Sequence, residues 1–471
     1  MRNENTAVSA PTILLISYHF HPSKEIGARR PTTLAQYLVT KGVRVVVVSA
    51  FEGGQIDAGA EILPGITAIP VRRSQSSLIG FLVSLKRSVS REAGSAAATS
   101  RDSETSLKRA RPGFAARCRT GFFRVAYFVD EYKKWGWQAS HAAVRAGRHY
   151  NARLLLASSP PDSVLLAGTL TARRLAIPYV ADLRDPWTDT VATLYPKHRI
   201  ELKLLRILER CVVNCATAIT STGSTVAETL ARRYRGVREK IHVVRNGYDG
   251  EYRCTSTDTG GRLAILFAGE LYAGRDPFPL LSALARLLIR PGIDASRVSI
   301  TFMGKAATYG GQDVIAWRRD NASVVPLTVL PQQTPAVVAK AIDASTVLLN
   351  LAQQQHLSVP AKTYEHLSSG RENLLICEND SETAQVVAGI SGVKQADPRD
   401  PAAMEEVLLD LYRRHVMEGR LTAPSMSEVE QFSRAAANEQ FWALLRSIAP
   451  LDALPAEPRV LQPGVPGRSR Q

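Results

Sequence analysis

The stretch YHFHPSKEIGARRP, residues 18–31, sets two histidines, a glycine and two adjacent arginines between the apolar run ILLIS and the segment TTLAQYLVTKG. Gly27 has no Cβ, so backbone there can come close to a ligand. A helix starting just after it would offer unpaired N–H groups and a positive dipole end to an anion. Arg29 and Arg30 add charge. This combination suits an oxyanion, a phosphate above all. A surface turn with solvated arginines is the competing reading. The device recurs in FAGELYAGRDP, where Gly269 closes an apolar run and Gly274 and Arg275 precede a second helix. A guanidinium there can hold a diphosphate through paired hydrogen bonds. In KTYEHLSSG, Lys362 and Glu365 stand three apart on one helical face. Lys362 could neutralise phosphate and Glu365 could accept from ligand hydroxyls. As an ordinary surface ion pair they would contribute only about 0.3 kcal/mol. In ADLRDPW a strand ends in Asp182, Arg184 and Asp185. Asp185 could take a hydroxyl proton or orient an acceptor, unless Asp-Pro simply caps a turn. His19 and His21 are the other groups that could act on that side.

The elements that must position these residues alternate along the chain. TILLISY reads as a buried strand, RPTTLAQYLVTKG as a helix with Pro31 in its first turn, and VRVVVVSA as a β-branched strand. This β-loop-α-β unit implies a parallel sheet. ARLLLASSPP, IPYVADLRDPW and CATAITST supply further strands. STVAETLARRY follows as a helix with Thr225 and Glu228 at capping-box spacing. The pattern restarts at RLAILFAGELYAGRDP and runs through NLLICEND, followed by SETAQVVAGI and DPAAMEEVLLDLYRRHV as helices. In open α/β sheets ligands bind beyond the carboxyl ends of strands, and each unusual loop named above lies at such an end. The polar, glycine-bearing residues 250–261 mark a junction. We therefore expect residues 1–250 as one domain, 251–447 as a second and 448–471 as a disordered Pro-rich tail.

Composition narrows the class. The chain has 471 residues, 45% hydrophobic and 22% charged, as in ordinary globular proteins. No apolar run is long enough to cross a bilayer, and the N-terminus lacks a signal-peptide pattern, so cytoplasm is the expected compartment. Five cysteines make no disulfide framework. Cys211 and Cys215, one helical turn apart, lack a second ligand pair, and no metal site is expected. The net charge is +16, and residues 71–150 hold 16 Lys/Arg against 5 Asp/Glu. Within this basic insertion, about 72–150, residues 88–106 read as a mobile loop. FFRVAYFVDEYKKWGWQASHAAVRAGRHY reads as a helix packed on the first domain or as an aromatic, basic surface resting on a membrane. Lys86, Arg87, Lys108, Arg109, Arg111, Arg117, Arg119 and Arg124 could meet anionic headgroups beside Phe122, Phe123, Tyr127 and Phe128. The segment carries no recognised nucleic-acid motif.

Together, YHFHPSKEIGARRP, ASSPPDSVLLAG, PYVADLRDPWTD, VVRNGYD, GELYAGRDPFPLLSAL and VPAKTYEHLSSG resemble the motifs of the glycosyltransferase family 4 group, in family order from about residue 12 to 446. The resemblance implies α/β architecture of the GT-B type, two Rossmann-like parallel-sheet domains facing across a cleft. The first would be the acceptor side and the second the nucleotide-sugar side. It implies transfer of a sugar from a nucleotide-sugar donor to a glycan or lipid-linked acceptor in polysaccharide biosynthesis, with retention at the anomeric carbon and without cofactor or bound metal. The absence of an Asp-x-Asp motif agrees with that. Location is then cytoplasmic, with peripheral contact at an anionic inner membrane surface. Residue by residue, Gly27 and Arg29 match the loop facing donor phosphates and acceptor. Gly269 and Arg275 match the loop whose basic residue stabilises the leaving diphosphate, and Lys362 fits a subgroup form of the following motif. Glu365 matches the second glutamate of Glu-x7-Glu, which holds the ribose. Asp185, Arg275 and His19 are the catalytic candidates. Two positions depart from the family. Leu357 stands where the first motif glutamate would be, and Glu372 takes a proline position after the helix. A nucleotide-sugar epimerase and a binding protein with reduced catalysis are the alternatives.

Overall fold

The computed structural model describes residues 10–51, 56–73, 129–189, 199–253, 257–272, 274–321, 324–449 and 451. The chain divides into two compact units. The first holds residues 1–181, 215–217 and 442–471, and the second holds residues 182–214 and 218–441.

The chain opens with β1 (Thr12–Ser17), all of it buried. So continuous an apolar run suits a strand covered on both faces. Helix α1 (Ile26–Thr40) leads to β2 (Arg44–Ser49), which pairs parallel to β1 with Ile13 opposite Val45. β3 (Glu61–Leu63) and β4 (Ile66–Pro70) pair antiparallel. Then come α2 (Lys133–His149), β5 (Ala152–Ser159), α3 (Ser163–Leu175), β6 (Tyr179–Leu183) and α4 (Arg199–Cys215). β7 (Ala218–Ser221), α5 (Ser224–Arg233) and β8 (Ile241–Val243) complete an eight-stranded sheet of order β3-β4-β2-β1-β5-β6-β7-β8.

A second sheet is built wholly inside the second unit. Its elements are β9 (Leu263–Glu270), α6 (Phe278–Leu288), β10 (Val298–Lys305), the short pair β11 (Thr308–Tyr309) and β12 (Gln312–Asp313), and α7 (Val314–Asp320). β13 (Leu327–Leu330), α8 (Pro335–Ala344), β14 (Val347–Leu351), α9 (Ala361–Leu367) and β15 (Glu372–Ile376) follow. α10 (Glu382–Val387), β16 (Val393–Ala396) and α11 (Pro401–Tyr412) end it. The strand order is β13-β10-β9-β14-β15-β16, every pair parallel. Phe267, Leu284, Ile300, Phe302, Leu349 and Leu408 form its core. After α12 (Met426–Val429) the chain closes with α13 (Arg434–Ile448), where Arg434 Nη2 donates to Gly247 O at 2.7 Å.

Three local readings are corrected. Helix α1 begins at Ile26, so Pro31 lies inside it and Gly27 in its first turn rather than before it. A proline there removes the N–H that would meet the carbonyl of Gly27 four residues back. Helix α5 begins at Ser224 with Gly223 as N-cap and no side-chain cap from that residue, so the Thr225/Glu228 capping box does not form. Glu372, at the proline position, opens β15 fully buried, its carboxylate paired with Arg414 and accepting from His415 Nε2 at 2.7 Å. It is a framework residue. In the basic insertion, the described part of the aromatic stretch is α2, with Trp135 buried and its Nε1 donating to Val71 O at 3.3 Å. Packing on the first unit is therefore what this part does. The mobile-loop reading of 88–106, the basic and aromatic residues named above from Lys86 to Phe128, and all of the tail but residues 448, 449 and 451 lie outside the described residues.

Candidate functional site

In the second unit, the carboxyl end of β9 gathers the candidates of the nucleotide side. Lys362 reaches from α9 so that its ammonium donates to Ala268 O and lies 4.9 Å from the Phe267 ring centroid. A Cβ on Gly269 would fall on that ammonium, so a side chain there would displace the lysine tip. Arg275 is buried, stacked 4.2 Å over the Tyr272 ring, with Nη1 donating to Glu270 O at 3.4 Å. Its Nε is buried without a hydrogen-bond partner among the described residues. Gly274, at φ +81°, brings the loop against Gln353, whose carbonyl would sit 2.7 Å from an added Cβ. Gln353 Nε2 returns a bond to Asp276 O at 2.7 Å.

Buried Arg275 and half-buried Lys362 repel each other, and such a pair of cations is costly unless an anion joins them. Burial first, then the Arg275 charge, push Lys362 down to about 8, with Glu365 opposing. The same burial and the Lys362 charge push His366 down to about 3, so its ring is neutral near pH 7. Glu365 lies exposed one turn along α9 from Lys362. A bound phosphate would raise Lys362 again. Titrating a nucleoside diphosphate near pH 8 should therefore take up protons, and affinity should fall as pH rises through about 8. Calorimetry in buffers of different ionisation enthalpy reads this directly. Lys362→Met should abolish the uptake. Glu365→Ala should weaken nucleotide affinity by about 2–3 kcal/mol, the scale for hydrogen bonds to a charged acceptor. Unchanged affinity in a folded variant would remove Glu365 from the site.

The loop after β14 carries Leu357, half-buried. It is pinned by the segment after β15. Gln354 N donates to both Glu378 oxygens at 3.0 Å, and Glu382 N donates to His356 O at 3.1 Å. The Glu382 side chain was not foreseen. Its carboxylate caps α5: Oε1 accepts from Ser224 N at 2.8 Å, Oε2 from Thr225 N at 2.7 Å, and both hydroxyls join. Arg245 Nη1 pairs with Oε1 at 2.7 Å. Burial alone would raise this carboxyl, but the Thr225 hydroxyl, Arg245 and the two amides outweigh it and hold it at about 2. A glutamate beginning one helix gives no sequence sign that it caps another 158 residues away.

The loop after β6, also in the second unit, separates its acids. Asp182 is buried and accepts from Thr220 Oγ1 at 2.8 Å, which makes it a sheet residue. Arg184 is buried, its carbonyl accepting from Thr222 Oγ1 at 2.6 Å. Asp185 is exposed. Surrounding protein pushes its carboxyl up, against the Arg184 guanidinium.

In the first unit, His19 follows β1 half-buried, edge-on to Tyr18 with centroids 4.9 Å apart. Tyr18 in turn packs on Tyr132 and Trp135. Gly27 and exposed Arg29 stand in the first turn of α1, which has no side-chain cap and no acidic residue there. Arg30 points into the protein, 5% exposed. His21 is exposed, its N donating to Thr32 Oγ1 at 3.1 Å. Thus His19, Gly27 and Arg29 gather beyond β1, and Gly269, Arg275, Lys362 and Glu365 beyond β9. Asp185 stands beyond β6. Among the described residues no cluster of three or more His, Cys, Asp or Glu could hold a metal ion.

Residues 98–252 match the family model described as Glycosyltransferase Family 4. No curated protein is a significant sequence relative. Sucrose-phosphate synthase from Thermosynechococcus elongatus is similar in structure, with TM-score 0.55 and 12% identity over 93% of this chain and 98% of that one. An α,α-trehalose 6-phosphate synthase from Burkholderia multivorans gives TM-score 0.55 and 12% identity over 93% and 97%. Anabaena HepE in complex with UDP-glucose gives 0.51 and 12% over 93% and 99%. At such identity the likeness speaks for the fold. The chain has the α/β GT-B fold of these proteins, and through residues 98–252 it resembles the family 4 glycosyltransferases.

Proposed function

We propose that this chain is a retaining glycosyltransferase that moves a sugar from a nucleotide-sugar donor to a glycan or lipid-linked acceptor in polysaccharide biosynthesis, without a bound metal. The observation that carries the reading is the buried Arg275, its Nε without a partner among the described residues, together with the depressed Lys362 ammonium. When the anomeric carbon–oxygen bond breaks, negative charge grows on the leaving diphosphate. Fixed cations placed there stabilise the transition state more than the bound donor. Glu365 would accept from the ribose hydroxyls. The first turn of α1, with Gly27 and Arg29, would meet phosphate from the acceptor side, residues 1–250, while residues 251–447 would bind the donor. Asp185 would orient the acceptor hydroxyl or take its proton, with His19 as the other candidate. The complex of HepE with UDP-glucose supports a nucleotide-sugar donor. We place the reaction in the cytoplasm, at the inner membrane face when the acceptor is lipid-linked.

Purified protein incubated with a panel of nucleotide sugars and membrane lipid extract should release nucleoside diphosphate and add one sugar mass to an acceptor. Mass spectrometry reads both. Isomerised donor without transfer would support the epimerase reading instead, and binding without turnover the reduced one.

A further inference from the structure

Helix α4 is apolar on two sides. One side, with Leu205, Val212 and Val213, is buried. Along the other, Ile200, Leu204 and Ile207 are 66%, 45% and 57% exposed, and Cys211 continues the stripe. Their spacing of four, three and four residues makes one continuous face. The helix cannot turn to bury it. Glu209, on the inner side, accepts from Thr188 Oγ1 at 2.9 Å, Arg233 Nη1 at 3.0 Å and Tyr234 Oη at 2.6 Å, which fixes the rotation. Exposed Arg199, Lys203, Arg206 and Arg210, each one position before a residue of the apolar stripe, run along one edge of it. The helix's other acid is half-buried Glu201. Among the described residues no helix is long and apolar enough to cross a membrane.

We propose that the outer face of α4 docks on an anionic lipid surface, with Ile200, Leu204 and Ile207 entering the headgroup boundary and the four cations meeting lipid phosphates. Large apolar side chains in a cationic field are what an interfacial helix needs, and basic stems can lie along the apolar side while their heads reach the phosphates. An antiparallel two-fold contact with a second copy would set the two cationic edges against each other. The inference deepens the lipid-linked-acceptor part of the proposed function, yet lipid docking is read without any sugar transfer.

The test is flotation of the full chain with vesicles of phosphatidylcholine, alone or with phosphatidylglycerol. Wild type should bind only the anionic vesicles, and less at high salt. Ile200→Ser/Ile207→Ser should lower partitioning at least about 10-fold, from the apolar area withdrawn. Lys203→Glu/Arg206→Glu should remove the anionic preference. Both pairs are exposed, so nucleoside diphosphate affinity, measured on the same preparations, should stay unchanged. That affinity failing in wild type would strike the proposed function and leave the docking result standing. Variants that bind like wild type would put the lipid contact elsewhere, and absence of binding to anionic vesicles would refute it. A solution mass that halves in the isoleucine variant would assign the face to a second copy and overturn the proposal.

Discussion

Arg275→Ala is expected to lower turnover about 10²–10³-fold, the cost of removing one preorganised charge donor from an active site. The side chain is already buried and stacked on Tyr272, so no reorganisation is needed when charge appears on the leaving diphosphate. The Nε without a partner among the described residues leaves it a directed donor to offer. The loss should fall mainly on kcat, because the diphosphate is most negative in the transition state. Removing Arg275 also relieves the charge on Lys362, which should rise from about 8. Steady-state kinetics check the first effect, and the pH dependence of nucleotide affinity checks the second. A loss confined to KM would make Arg275 a donor-binding residue only.

Glu382→Ala is expected to destabilise the protein by about 3 kcal/mol, the scale of losing charged hydrogen bonds together with a helix cap. The carboxylate is fully buried and serves two amides, two hydroxyls and a guanidinium. Arg245 keeps some access to water, which limits the penalty of leaving it alone. Because this carboxyl is held at about 2, below its ordinary 4.5, its contribution is complete above about 4.5 and fades as pH falls through about 2. Urea unfolding of wild type and Glu382→Gln should accordingly differ by a constant amount near neutrality and converge only in acid. Equal stability at pH 7 would show that the cap contributes nothing.

The layout of these elements could be read from local pattern, since TILLIS, VVVV and LLLA are short apolar runs that suit a parallel strand covered on both faces. The placement of Gly269, Arg275 and Lys362, each at a strand end or on the helix after one, can be read for the same local reason. What escaped depends on tertiary partners. Pro31 suggests a first turn of α1, whereas the chain continues helix back to Ile26. β13 and β16 are short and only partly buried, so their apolar signal is weak. Glu372 looked like a motif departure, and only the distant Arg414 and His415 show it to be part of a buried ion cluster. Glu382 is the same case, its partners lying on α5 and at Arg245.

Calorimetric titration of nucleoside diphosphates into wild type and into Arg275→Ala/Lys362→Met tests the central claim most directly. The cation pair beyond β9 predicts one saturable site in wild type, with proton uptake near pH 8, and loss of both in the double variant. Equal affinity in the two proteins, or no nucleotide binding to wild type, would contradict it.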